Sequence, residues 1–284
     1  MLGSAVFKSL SSNPDLLVTG SLRSDYYRKY FPAEQRQSII SGIDVTDTDN
    51  LINLLYHAKP DVVINCVGLI KQLDESQQVL TALPINSIFP HRLANLCALS
   101  NIRLVHISTD CVFSGKRGNY AESDISDAED IYGKSKFLGE VINSNAITLR
   151  TSIIGHELNT CHSLLDWFLS QKNEVKGFRR SIFSGLPTVE IARVINELIL
   201  PNTGLNGLFH VSSNPISKFD LLSLIATQYN KEIDIVPDDQ LVLDRSLNSM
   251  RFKAVTGYQP PSWSELVKRM YEHNAVSAQQ KRED

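Results

Sequence analysis

The first half of the chain alternates short, almost uninterrupted apolar runs with stretches of helical spacing, and few folds accommodate that rhythm. Leu16-Leu17-Val18-Thr19-Gly20 predicts a buried strand closed by glycine, and Ile39-Ile40-Ser41-Gly42-Ile43-Asp44-Val45 predicts a second. A helix is expected from Asp47 to His57, capped by Thr46 or Asp47, with Leu51, Leu54 and Leu55 on one face. Residues 61–66, 103–108 and 146–150 supply three more strands, with a long helix from Asn86 to Leu99 between the first two. Strands apolar on both faces and separated by helices predict a parallel sheet covered on both sides, an α/β fold. Ligands of such sheets bind outside the carboxyl ends of the strands. Chemistry is therefore expected just after Gly20, Val45, Cys66, Ser108 and Arg150.

Beyond Arg150 the rhythm loosens. Helical spacing returns at 163–170, 188–200 and 218–230, with strands expected at 207–211 and 232–236. This reads as a first domain over 1–155 and a smaller substrate lobe over 156–274, some of whose chain returns to the first domain. Residues 275–284 are polar and charged and read as a frayed tail. With 284 residues, 42% hydrophobic and 21% charged, the chain can bury a full core. A formal net charge of −3 gives no electrostatic reason to expect nucleic acid or an anionic membrane as partner. No apolar run approaches the roughly 20 residues of a membrane span, and the N-terminus lacks a basic-then-apolar signal layout. The expected location is the cytoplasm. Cys66, Cys97, Cys111 and Cys161 are widely spaced without a CxxC. They are expected to be buried thiols rather than disulfide partners or metal ligands, and no metal is expected.

The stretch that carries chemistry is Ser108-Thr109-Asp110-Cys111-Val112-Phe113-Ser114-Gly115, followed by Tyr132-Gly133-Lys134-Ser135-Lys136. Tyrosine is a poor acid at neutral pH because its free pKa is about 10. A lysine four residues on shares its helix face, and the positive charge is expected to lower the phenol's pKa and make Tyr132 a usable proton donor. A strand-end hydroxyl, Thr109 or Ser108, would hold the substrate oxygen.

Together with Tyr120-x-Glu122-x-Asp124, Gly139-Glu140, Leu149-Arg150-Thr151-Ser152 and Asn65-Cys66-Val67-Gly68, these motifs resemble the extended short-chain dehydrogenase/reductase superfamily. Within it the chain looks most like the dTDP-4-dehydrorhamnose reductase group of nucleotide-sugar enzymes. The likeness weakens after about residue 160. It implies a Rossmann-like, doubly wound sheet and reduction of a nucleotide-activated 4-keto-6-deoxy sugar for surface polysaccharide synthesis. It assigns proton donation to Tyr132, the nicotinamide ribose to Lys136 and substrate orientation to Thr109, with Ser108 and Ser152 beside it. Gly3, Cys66, Val67 and Gly68 would line the cofactor, Ser108 would also touch it, and Asp44 and Val45 would face its adenine. Arg23 suits a 2′-phosphate, which leans toward NADP over NAD. Arg179 or Arg180 would pair with the substrate diphosphate. A homodimer is common in the superfamily.

The chain also departs from the family. It opens at Met1-Leu2-Gly3-Ser4-Ala5-Val6, matching only the end of the glycine-rich turn, so the central strand and earlier glycines are absent from it. The neighbours of that strand are expected to face each other across a gap. A start inside a longer reading frame is favoured over a degenerate relative. Cys111 and Ile153-Ile154-Gly155 replace aromatic positions near the sugar, pointing to a 4-keto-deoxy sugar other than dTDP-4-dehydrorhamnose. Two alternatives share these residues: an epimerase or dehydratase with bound NAD, and a non-catalytic reductase-like regulatory subunit.

Overall fold

The computed structural model describes the backbone of residues 1–283 and the side chains of residues 1–274. The polar stretch 275–284, read as a tail, thus lies outside the residues described in full. Helix α1 (Leu2–Ser11) opens the chain and buries Leu2, Val6 and Leu10. Next come β1 (Gly20–Leu22), the short α2 (Ala33–Arg36) and β2 (Ile39–Ser41). The expected strand at 16–20 begins only at its last residue. β1 has a single partner, β2, and their ladder starts at Gly20 opposite Ile39. Ahead of it Leu16 and Val18 pack inward while Leu17 is fully exposed.

Helix α3 (Thr48–Ala58) is capped by Asp47, whose side chain accepts from the N–H groups of Asp49 and Asn50. After β3 (Val62–Asn65), a continuous helical path runs through α4 (Val79–Ala82), a widened π turn at Leu83–Ile88, and α5 (Phe89–Leu99). It starts well before the expected Asn86. Pro84 and Pro90 each lack a donor, and the widened turn absorbs the mismatch that would otherwise break the helix. Then follow β4 (Arg103–Thr109), α6 (Ile131–Leu138), β5 (Ala146–Thr151) and β6 (Ile153–Ile154).

The second half holds α7 (Leu164–Ser170), β7 (Glu174–Phe178), β8 (Ser181–Phe183), β9 (Leu186–Pro187) and α8 (Thr188–Val194). It continues with β10 (Gly207–His210), β11 (Ile216–Ser217), α9 (Lys218–Gln228), β12 (Asp234–Asp238), β13 (Leu243–Asp244), α10 (Met250–Thr256) and α11 (Trp263–Glu283). The strand expected at 232–236 is displaced two residues onward, where it runs parallel to β7.

The main sheet has the order β10-β5-β4-β3, all parallel, and β1-β2 form a separate parallel pair. The expected gap is therefore present: β1 pairs only with β2, and β3 only with β4. One large core crosses the boundary expected at residue 155. It joins Val6 and Leu10 of α1, Val105 and Ile107 of β4, Ile191 of α8 and Leu266 of α11. The opposite face buries Leu51, Phe89, Leu93 and Leu104 in a second cluster.

Candidate active site

Because successive strand residues point to opposite faces, Ser108 and Thr109 at the end of β4 are sent to different places. Ser108 donates from its hydroxyl to Glu140 (2.7 Å). Glu140 also accepts Arg150 through Nε and Nη2, each at 2.7 Å, with both partners almost wholly buried. Arg150 donates onward to Nε2 of His210 on β10 (3.2 Å), whose Nδ1 meets the Tyr120 carbonyl (3.0 Å). Burial, with Arg150 beside it, pushes His210 down to about 3, so it stays neutral. Ser108, expected at the cofactor or substrate, is instead built into this scaffold. The Tyr120-x-Glu122-x-Asp124 motif serves the same network: Tyr120 stacks on Phe113 at 4.1 Å, and Glu122 accepts the His210 N–H (2.9 Å).

Thr109 turns the other way. Its hydroxyl lies near enough to the Tyr132 phenol to favour the phenolate, accepts the Cys111 N–H (3.1 Å) and donates to an Asp110 oxygen (3.2 Å). Tyr132 stands on the first turn of α6, which Asp130 caps by accepting the Gly133 N–H (2.7 Å). The other Asp130 oxygen takes Lys71 Nζ at 2.6 Å. α6 is seated with no room to spare. A Cβ at Gly133 would collide with the Cys111 carbonyl, and one at Gly139 with the Asn86 carbonyl.

The electrostatics differ from the expectation. Burial, reinforced by Cys111, drives the Tyr132 pKa above its ordinary value, and the Thr109 hydrogen bond only partly opposes this. The phenol is thus held firmly protonated. Lys136 is also buried and donates to the Ile107 carbonyl (2.8 Å) rather than to the phenol. Its own pKa falls to about 8 because burial disfavours the ammonium more than Glu140 and Cys66 favour it. As the chain stands, proton retention on Tyr132 comes from desolvation and not from the lysine charge.

Several expected cofactor residues do converge. Gly3 at the start of α1 approaches Cys66 so closely that a Cβ would sit 3.4 Å from the cysteine's own. Cys66 is buried enough to push its thiol up to about 12. A Cβ at Gly68 would lie 3.7 Å from Lys136 Nζ and 3.3 Å from Asn86 Oδ1. Asn86 was missed in the sequence. It accepts the Leu69 N–H (2.9 Å) and donates to Ser135 (3.1 Å), tying the 66–69 turn to α6. The turn is further set by Asn65, which accepts the Val67 N–H (3.0 Å), and it leaves the Val67 side chain exposed. Gly3 thus lies against Cys66, and Gly68 against Asn86 and Lys136, so the start of α1, the 66–69 turn and α6 meet here. At the separate β1-β2 pair, exposed Arg23 follows β1, close enough to Asp44 to favour its charged form. Asp44 chiefly caps its own turn, through the Thr46 N–H (2.9 Å) and hydroxyl (2.7 Å). Val45 packs into the second core cluster.

Ser152 lies near enough to the Asp110 carboxyl to favour its charged form, though burial outweighs this and pushes the carboxyl up. Half-buried Cys111 has its thiol pushed up to about 12 by desolvation. Arg179 and Arg180 are not brought to this centre. Arg179 pairs with Asp239 on an exposed edge, and Arg180 is exposed. The basic groups that do face Asp110 are Lys218 and Arg245, neither singled out by a sequence motif. All four cysteines are free, but of the expected buried thiols only Cys97 is fully buried: Cys66 and Cys111 are half-buried and Cys161 is exposed. No group of residues suited to a metal ion occurs among the described residues, and no helix among them is long and apolar enough to cross a membrane.

Residues 2–276 match the family model described as the RmlD substrate binding domain. A dTDP-4-dehydrorhamnose reductase of Aggregatibacter actinomycetemcomitans is 27% identical over 254 residues, covering 80% of this chain and 86% of the relative. A probable low-salt glycan biosynthesis reductase, Agl14, of Haloferax volcanii is 30% identical over 226 residues, or 75% of this chain and 71% of the relative. The crystal structure of dTDP-4-dehydrorhamnose reductase from Bacillus anthracis in complex with NADP matches with a TM-score of 0.73 and 22% identity, covering 90% of this chain and 100% of that one. At that identity the likeness is one of fold.

Proposed function

Since the chain belongs to the RmlD substrate binding domain family, we propose that it reduces the keto group of a nucleotide-activated 4-keto-6-deoxy sugar for surface polysaccharide synthesis. The observation that carries this reading is the placement of the half-buried Tyr132 phenol, held protonated, on the first turn of α6 beside Thr109 at the end of β4, with buried Lys136 one turn on. A nicotinamide, when bound, supplies the hydride to the carbonyl carbon. The chain does the rest. Thr109, with Ser152 behind it through Asp110, orients the keto oxygen, and Tyr132 donates the proton that completes the alcohol. Lys136 and the Cys66-Val67-Gly68 turn would hold the nicotinamide ribose, Gly3 the pyrophosphate, and Asp44 with Val45 the adenine. Arg23 at the end of β1 supports NADPH over NADH. The same reading puts the chain in the cytoplasm, as a homodimer.

The test is to follow NADPH absorbance while a 4-keto-6-deoxy sugar nucleotide is supplied. Net oxidation matched by alcohol product supports the reductase. Sugar conversion with no net change in cofactor would replace it with an epimerase.

A further inference from the structure

We propose that Lys71 is a positioning residue for Tyr132: its ion pair with Asp130 fixes the turn of α6 from which the phenol projects. The proposal rests on the reductase reading and adds to it a residue outside the Thr109, Tyr132 and Lys136 set. Asp130 is the N-cap of α6, so Tyr132 is the second residue of the helix. One Asp130 oxygen accepts the Gly133 N–H (2.7 Å) and so satisfies one of the donors that a helix start leaves open. The other oxygen takes Lys71 Nζ at 2.6 Å. The cap carboxylate is thus held on both sides, by the helix it starts and by the segment that follows β3.

That segment reaches α6 twice. The Leu69 N–H donates to Asn86 Oδ1 (2.9 Å), and Asn86 Nδ2 donates to the Ser135 hydroxyl (3.1 Å). The same hydroxyl donates to the Tyr132 carbonyl (2.8 Å). Leu69 and Lys71 are therefore linked to either side of Tyr132, one at Ser135 and the other at Asp130. Lys71 comes from a folded support. The N–H groups of Leu73 and Ser76 donate to the carbonyls of Ile70 (3.1 Å) and Leu73 (2.9 Å), and the hydroxyl of fully buried Ser76 donates to the Lys71 carbonyl (3.2 Å). The Lys71 and Asp130 side chains are 36% and 31% exposed, and pairs so open to water add little to stability. What the pair supplies is geometry. Close packing at Gly133 stops the first turn from approaching Cys111, and the ion pair keeps the cap from swinging away. A phenol displaced by about 1 Å transfers its proton far more slowly.

The experiment compares the wild-type chain with Lys71→Met, Lys71→Arg, Asp130→Ser and the Lys71→Met/Asp130→Ser double variant. Each is assayed for NADPH oxidation by a 4-keto-6-deoxy sugar nucleotide, for urea unfolding, and for the Tyr132 ring resonance in isotope-labelled protein, assigned by its loss in Tyr132→Phe. Lys71→Met should lower kcat roughly tenfold to a hundredfold, with KM and the unfolding curve unchanged. Its Tyr132 resonance should move, and Lys71→Arg should restore most of both changes. Serine still caps a helix but cannot pair with lysine, so Asp130→Ser should show the same loss. The double variant should be no slower than either single one, because all three remove one interaction. Wild-type kcat with an unmoved resonance in Lys71→Met, or single losses that multiply in the double variant, would overturn the proposal. So would a fall in kcat matched by an equal fall in stability, the mark of a merely structural pair. If the resonance moves as expected while no keto sugar is reduced, the Lys71 tie stands and the reductase reading falls. If reduction proceeds and Lys71→Met alters neither rate nor resonance, the tie falls and the reductase reading stands.

Discussion

The four-stranded sheet and the separate two-stranded β1-β2 pair are both parallel, yet they are held together by different means. In the larger piece each inner strand is paired on both sides, and a buried ion pair, Glu140–Arg150, ties β5 to the segment that follows the catalytic helix. The smaller piece has three ladder positions, and its polar contacts, such as Asp25 with Arg28 and Ser41, lie at an exposed surface. On the proposed reading the proton-transfer centre stands on the first piece, and Arg23, which would select the cofactor, follows the second. That reading rests chemistry on the more heavily paired part and cofactor preference on the lightly held one.

Substitutions on the sheet side should have the largest effects. Tyr132→Phe removes the proton donor while keeping the ring, and should lower the rate of NADPH oxidation by about 10²–10⁴-fold with an unchanged unfolding curve. If turnover survives, the centre lies elsewhere and the contrast between the two pieces loses its meaning. Glu140→Gln leaves Arg150 buried beside a neutral partner and should cost about 3–5 kcal/mol in urea unfolding. A loss no larger than that of a surface charge would show the two pieces to be equally lightly held.

Titration of Lys136 sharpens the contrast. Its folded pKa of about 8 lies below the ordinary 10.5. The folded state thus gives up its proton first as pH rises. Below about 8 the buried ammonium carries its full penalty; between the two values the unfolded chain binds more protons, so this group's contribution to stability improves with pH. Activity should move in the opposite sense, with kcat/KM falling through about pH 8 as the ammonium is lost, and falling no further in Lys136→Met. The smallest effect belongs to the β1-β2 pair. Arg23→Gln should weaken NADPH roughly two- to fivefold, as expected for an exposed charge, and leave NADH binding alone. A larger loss would mean that this pair is closed around the cofactor more tightly than its surface exposure indicates.

The sequence disclosed most of what depends on local pattern. Apolar runs marked β3, β4, β5 and β10 because both faces of those strands are covered, and YxxxK spacing put Tyr132 and Lys136 on one helix face. It misplaced the strand at 16–20 because a ladder needs a neighbour, and nothing local says that β1 has only one. The Glu140 bond of Ser108 was hidden for a related reason. Two adjacent hydroxyls look alike in a string, but the pleat sends Thr109 toward Tyr132 and Ser108 to Glu140. The pKa argument failed because burial outweighed a lysine charge whose donor points at a carbonyl. Lys218 and Arg245 escaped notice since they come near Asp110 only through the fold, from stretches over a hundred residues away in the chain.

The fit of α6 has a further consequence. Gly133 and Gly139 bring its backbone against the Cys111 and Asn86 carbonyls with no space for even a methyl group. The helix can neither slide nor tilt without unseating two other segments, so the phenol's address is fixed for every substrate the chain might be asked to accept. Divergence toward a new sugar has to be written in segments other than α6, which stays as it is.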